Sequence, residues 1–346
     1  MRIGIGLWCL QSTATAPRSF TAAYGELLDD ARLAERVGID SLWLSEHHGY
    51  HDGYCPALLP AAAAALSVTD RLRVGTGVLL LPLHEADRVR TAATELAVRS
   101  GDRFELGMGM GYRPGEFEAR GLELGERVRL MTAGLDDLAV DAPCPLWVGV
   151  TSAAAARRAG RRGLGLLISG AFSPEVVRTL VAAHRQAWED AGCPPEPCPL
   201  GAGEAEPGRV ADASSTATGS CPPLVGGPPG VGVLRNVWLA DSEAERRRAL
   251  DWVRSSYLVY AGLGWGADAT GVDFVAQIEA SMDEVEASAI VGGADEVADR
   301  LAQYEADLVV CRIGYDQPPR SALTEVIERI GTELVPRLAG AREPGR

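Results

Sequence analysis

Short apolar runs alternate with amphipathic helical stretches along most of this chain, and no other feature constrains the fold as strongly. Residues 2–8 form a strand-like run, and residues 24–37 place Leu27, Leu28, Ala31, Ala34 and Val37 on one helical face that ends at Gly38. A second apolar run, 39–44, follows. Later cycles pair an alanine-rich helix from Pro56 to about Leu66 with strand 72–76, helix 85–99 with strand 104–109, helix 116–138 with strand 145–149, and helix 152–161 with strand 164–168. After helix 173–191 the pattern lapses, then returns as strand 233–239, helices from Ser242, near 272–287 and over 294–304, strand 308–312 and helix 321–338. Repeated strand–helix units imply a parallel sheet, and about eight of them favour a closed (β/α)8 TIM barrel over an open sheet. No G-x-G-x-x-G follows the first strand, which counts against a dinucleotide-binding sheet. We expect one domain over 1–346. Residues 192–232, rich in Pro, Gly, Ser, Ala and Thr, cannot pack a core and read as a long surface loop or a partly disordered one.

The net charge of −14 argues against nucleic acid or an anionic membrane as partner and leaves a small molecule. All 33 basic residues are arginine, so lysine Schiff-base chemistry is excluded and an anionic ligand must be held by arginine, backbone amides or helix termini. The seven cysteines are scattered and form no C-x-x-C pair; they read as reduced thiols rather than disulfides or a zinc site. The apolar region 57–68 is too short to span a bilayer, and Met1 leads directly into the first strand-like run. A cytoplasmic location is therefore expected.

Three of the five histidines, His47, His48 and His51, fall within five residues just after the run 39–44, where a barrel strand surfaces into the loops that carry chemistry. The other strand ends bring Thr76-Gly77, Met108 to Tyr112 and Gly149 to Ser152 to the same face. Ser152 is placed to cap the helix it opens, whose first amides make an anion site, and Arg127 from the preceding unit can add positive charge. Glycines 107, 109 and 111, and Gly75 and Gly77 one strand away, let a flat ligand approach the backbone; for 107, 109 and 111 the alternative is that they relieve crowding inside a narrow barrel. His47, His51 and Asp52 could in principle ligate a metal, as in a barrel hydrolase, but loop spacing gives that set no geometric support, and no metal is expected.

The segments Ala31-x-x-Ala34-Glu35-x-x-Gly38-x-Asp40-x-x-Trp43-x-x-Glu46-His47-His48, Val74-Gly75-Thr76-Gly77-Val78, Arg103-Phe104-x-Leu106-Gly107-x-Gly109, Pro145-Leu146-Trp147-Val148-Gly149 and Val291-Gly292-Gly293-x-x-Glu296-Val297 resemble, in order and spacing, the bacterial luciferase-like monooxygenases. The resemblance implies a TIM barrel that binds reduced FMN, or in some branches F420. It also implies oxidation of a small organic substrate with O2 through a C4a-peroxyflavin, the FMNH2 coming from a separate flavin reductase. An F420-dependent oxidoreductase and a non-catalytic flavin-binding protein are the alternatives. By position, His47 matches the family's acid or base beside the flavin. Arg127 and Ser152 match its phosphate-binding pair, and Glu46, Thr76, Gly77, Tyr112, Val150 and Thr151 match residues lining the flavin. Gly109 and Ala155 stand near the places of a second phosphate-binding arginine and a threonine, which implies a weaker phosphate site. A homodimer is implied by the family, and the all-arginine, alanine-rich composition is associated with a secondary-metabolite substrate.

Overall fold

The computed structural model describes residues 1–8, 12, 17–49, 54–140, 142–169, 172–192, 229–262, 282–313 and 318–340. In chain order its strands are β1 (Arg2–Trp8), β2 (Ser41–Leu44), β3 (Arg73–Thr76), β4 (Leu79–Leu80), β5 (Phe104–Gly109), β6 (Leu146–Val150), β7 (Gly165–Ile168), β8 (Val231–Leu239), β9 (Ile290–Gly292) and β10 (Leu308–Arg312). Helices α1 (Phe20–Arg36), α2 (Leu58–Ser67), α3 (Ala86–Ser100), α4 (Pro114–Glu118), α5 (Arg127–Ala139), α6 (Ala153–Gly160), α7 (Pro174–Asp190) and α8 (Glu243–Gly262) connect them, with Met282–Ser288, Ala294–Ala302 and Arg320–Arg329 beyond.

Eight strands, β1, β2, β3, β5, β6, β7, β8 and β10, pair in parallel in that order, and β10 pairs with both β8 and β1, so the sheet closes. This is the (β/α)8 barrel expected. The two short strands, β4 beside β5 and β9 beside the far end of β8, escaped the sequence reading because two or three residues carry no period. Three expected elements need correction. The helix expected over 116–138 is two helices, α4 and α5, separated by a turn in which Gly121 has φ +67° and Leu122 N–H bonds back to Phe117 O at 2.9 Å. That left-handed stop ends α4 and lets a new helix begin at Arg127. The helix expected over 321–338 is interrupted by a π-helical segment, Ile330–Leu334. Of the loop placed at 192–232, Val231 and Gly232 already belong to β8, and residues 193–228 lie outside the described residues. Most of the helix expected near 272–287 also lies outside them; Met282–Ser288 is helical.

The glycine-rich strands have a packing cause. Trp43 and Trp147 meet edge to face inside the barrel with ring centroids 6.2 Å apart, both buried. A Cβ on Gly75 would lie 2.6 Å from the Trp43 ring, and one on Gly165 or Gly230 2.8 Å from the Trp147 ring. A narrow barrel accepts two indoles only where the facing strands give up their side chains. The crowding explanation therefore accounts for Gly75. It also holds for Gly107, whose Cβ would sit 2.0 Å from Thr76 O, and for Gly109, whose Cβ would sit 2.2 Å from the Val78 side chain. We expect Gly75→Ala to cost about 1–3 kcal/mol by overpacking, read from the urea midpoint; an unchanged midpoint would show that the indole can move aside.

At the N-terminal mouth Glu105 is buried, accepts from Arg2 and Arg73, and takes the Trp147 indole N–H at 2.8 Å. Burial works against its charge, but the two guanidinium groups outweigh it and hold the carboxyl below its ordinary range. The described cysteines, Cys55, Cys144 and Cys311, are free thiols. Burial pushes Cys144 and Cys311 up to about 12, so both are inert packing groups, in keeping with reduced core filler.

Candidate active site

The C-terminal end of β2 releases Ser45-Glu46-His47-His48, and the first three are buried. His47 is the centre of a short hydrogen-bonded chain. Its Nδ1 lies 2.9 Å from Glu116 Oε1, and its Nε2 lies 3.2 Å from the Tyr112 hydroxyl. A carboxylate only accepts, so Nδ1 carries the proton and Nε2 of the neutral ring accepts from Tyr112. Tyr54 and Tyr112 meet the His47 ring edge to face at centroid distances of 4.7 and 5.3 Å, and Tyr54 is itself fixed by Ser45 Oγ at 2.6 Å. The imidazole is clamped in one plane with its Nε2 edge toward Tyr112.

Glu116 is the residue that the sequence reading missed. It sits on α4 with 2% exposure; Oε1 also accepts the His48 backbone N–H at 2.8 Å, and Arg113 stands 3.8 Å away. Its Oε2 is buried with no hydrogen-bond partner among the described residues. Position 116 is 69 residues from His47, so no spacing rule could pair them. The only local signal was Pro114 opening a helix directly after Gly111-Tyr112.

Glu46 takes a different set of partners. Oε1 lies 2.7 Å from both His48 Nε2 and His84 Nε2, and Oε2 accepts the Leu80 N–H at 2.6 Å. Burial alone would raise its pKa, but the hydrogen bonds from His48 and His84, the charge of His84 and the Leu80 amide together hold the carboxyl at about 2. His84, also missed, follows the 3-10 turn Leu81–Leu83. His48 bonds Glu46 rather than His47. His51 and Asp52 lie outside the described residues.

The remaining expected residues sit at the strand ends. The Thr76 hydroxyl is committed to the barrel wall: it donates to Gly107 O at 2.7 Å and accepts Gly107 N–H at 2.9 Å. Gly77 bonds Leu44 O at 2.6 Å and begins the cis peptide Gly77–Val78. Val150 is buried at the end of β6, while Thr151 and Ser152 are exposed. Ser152 caps α6 as expected, accepting Ala155 N–H at 3.3 Å. Arg127 opens α5 in the preceding βα unit and donates to Leu124 O at 3.3 Å. Two surface clefts of about 260 Å3 each, one lined by Trp238, Trp252 and Arg329 and one between α6 and α7, contain none of these residues.

Residues 1–136 match the family described as luciferase-like monooxygenase. The chain is 33% identical over 180 residues to 4-hydroxyprotoasukamycin monooxygenase of Streptomyces nodosus subsp. asukaensis, covering 49% of this chain and 48% of that protein. It is 22% identical over 313 residues to the oxygenase component of flavin-dependent trigonelline monooxygenase of Acinetobacter baylyi, covering 85% and 82%. It is also 29% identical over 191 residues to an F420-dependent glucose-6-phosphate dehydrogenase of Beutenbergia cavernae, covering 46% and 56%. The chain thus spans about half the length, or less, of the leading curated relatives. Among solved structures, the monooxygenase RslO1 from Streptomyces bottropensis superposes with a TM-score of 0.71 at 19% identity, covering 97% of this chain and 99% of that one, which shows the shared fold. Residues 1–136, the part of the chain that resembles the luciferase-like monooxygenases, contain β1 to β5, α4 and the whole Tyr112–His47–Glu116 chain.

Proposed function

We propose that the chain is a flavin-dependent monooxygenase that takes reduced FMN from a separate reductase and oxidises a small organic substrate with O2. The observation that carries this reading is His47, held by Glu116 on one nitrogen and facing Tyr112 on the other, at the C-terminal mouth of a luciferase-like barrel. Such a residue accepts a proton on Nε2 and returns it without moving, because Glu116 fixes the tautomer and stabilises the imidazolium. The phosphate end of the cofactor is assigned to Ser152, the amides that open α6, and Arg127. These groups fit a phosphate: α6 begins at the strand-end face, its cap residue is exposed, and a guanidinium opens the neighbouring helix. Val150, Thr151, Gly77 and Tyr112 would line the ring. The bound reduced flavin supplies the oxygen-activating chemistry, and the buried surroundings of His47 limit proton leakage to water.

The F420-dependent reading stands second, favoured by the dehydrogenase relative and served by the same His47. The non-catalytic flavin-binding reading finds no particular observation in its favour. A homodimer, a cytoplasmic location and a secondary-metabolite substrate belong to the proposal. Anaerobic titration decides between cofactors: reduced FMN should bind and F420 should not. Arg127→Ala should weaken FMN by about 10–100-fold, the worth of a charge-assisted hydrogen bond, and leave riboflavin, which has no phosphate, unchanged. Equal loss for both flavins would remove Arg127 from the phosphate site, and absence of FMN binding would end the reading.

A further inference from the structure

Glu46, His48 and His84 converge on one point. Glu46 Oε1 stands 2.7 Å from the Nε2 of each histidine, and one ligand atom from each of the three residues lies within 4.8 Å of the others. The second carboxylate oxygen is tied to the Leu80 amide, so the side chain cannot turn away from the two imidazoles. We propose that these three residues bind a divalent first-row transition cation of the zinc or cobalt class.

The chemistry of the donors supports it. Two imidazole nitrogens and one carboxylate oxygen form the donor set that such ions take while keeping an open position. The Leu80 amide plays the part of the outer hydrogen bond that orients a ligating carboxylate. Tetrahedral zinc, with bonds of about 2.0–2.1 Å, spaces its ligand atoms about 3.3 Å apart. Each imidazole nitrogen therefore retreats about 0.6 Å from its present 2.7 Å contact, a small side-chain rotation. The His48 and His84 side chains are 16% and 26% exposed, which gives the ion an entry path and leaves room for water as a further ligand. Proton balance is simple: a neutral ring moves its proton from Nε2 to Nδ1 as the metal takes its place, and a protonated ring releases one proton to solvent. The ion would bridge the segment after β2 to the segment after β3, next to His47.

The cation proposal does not rest on the flavin reading, so it is tested on the flavin-free full chain with the metal alone. Titration with Co2+ should give one saturable visible absorption change per chain, reversed by Zn2+. His84→Ala should weaken it by about 100-fold or more, and His84→Cys should restore saturable binding with a sulfur charge-transfer band. An X-ray absorption spectrum of the wild-type cobalt complex should require two imidazoles, a measurement that does not depend on any variant folding. No saturable binding, a spectrum without histidine, or equal affinity in folded His84→Ala would each overturn the proposal.

Discussion

His47→Ala should lower turnover by about 10²–10⁴-fold, the usual contribution of a positioned acid–base group, while FMN affinity changes little. The expectation rests on the two bonds of the ring: Nδ1 is occupied by Glu116 at 2.9 Å, and Nε2 is presented to Tyr112 at 3.2 Å. Alanine removes the proton carrier without touching Arg127 or Ser152, so binding and chemistry separate. Glu116→Gln divides the role further. A glutamine oxygen can still accept from Nδ1, but the negative charge is lost, so the imidazolium is less favoured. Glu116→Gln should therefore lose less rate than His47→Ala. Turnover assayed with excess reductase, alongside FMN titration, provides the check. Unchanged turnover in His47→Ala would remove that residue from the chemistry, and unchanged turnover in Glu116→Gln would leave Glu116 with a packing role only.

Glu105→Ala should be the most destabilising of the barrel variants, at about 3 kcal/mol, the lower end for removing one partner of a buried ion pair. It leaves Arg2 and Arg73 facing each other across the N-terminal mouth and takes an acceptor from the Trp147 indole. The lower end applies because the Arg2 and Arg73 side chains, 27% and 29% exposed, recover some hydration. The pH dependence follows from the depressed carboxyl. Its contribution is fully present above the unfolded-state value of about 4.3 and is lost as pH falls below it through the folded value. Glu46, held at about 2, adds to the same acid loss between about pH 4 and pH 2. Urea unfolding should therefore separate wild type from Glu105→Ala widely at pH 7, and the gap should narrow in acid. A constant gap would mean that the charge of Glu105 is not what stabilises the fold.

Much of the barrel was legible because each βα unit announces itself locally. The run 39–44, the face built from Leu27, Ala31 and Ala34, and the cap at Ser152 are properties of a few neighbouring residues, and the structure places them as read. The break at Gly121 was less visible, since a glycine within a helical pattern signals a stop only when its left-handed φ is realised. The strand-end glycines were ambiguous for a different reason: whether a missing side chain makes room for a ligand or for Trp43 depends on what lies across the barrel.

The sequence by itself determined that this is a parallel barrel with a titratable cluster where β2 ends, and that any phosphate must be met by arginine and helix amides, because periodicity, cap residues and composition act over short stretches of chain. Only the tertiary structure decided which partner each histidine takes. Glu116 reaches His47 across 69 residues and His84 reaches Glu46 across 38, contacts created by barrel closure and left-handed turns rather than by spacing. Those contacts fix the tautomer of His47 and the charge of Glu46. Such contacts settle at the strand ends because closing the sheet brings loops distant in sequence around one shared mouth.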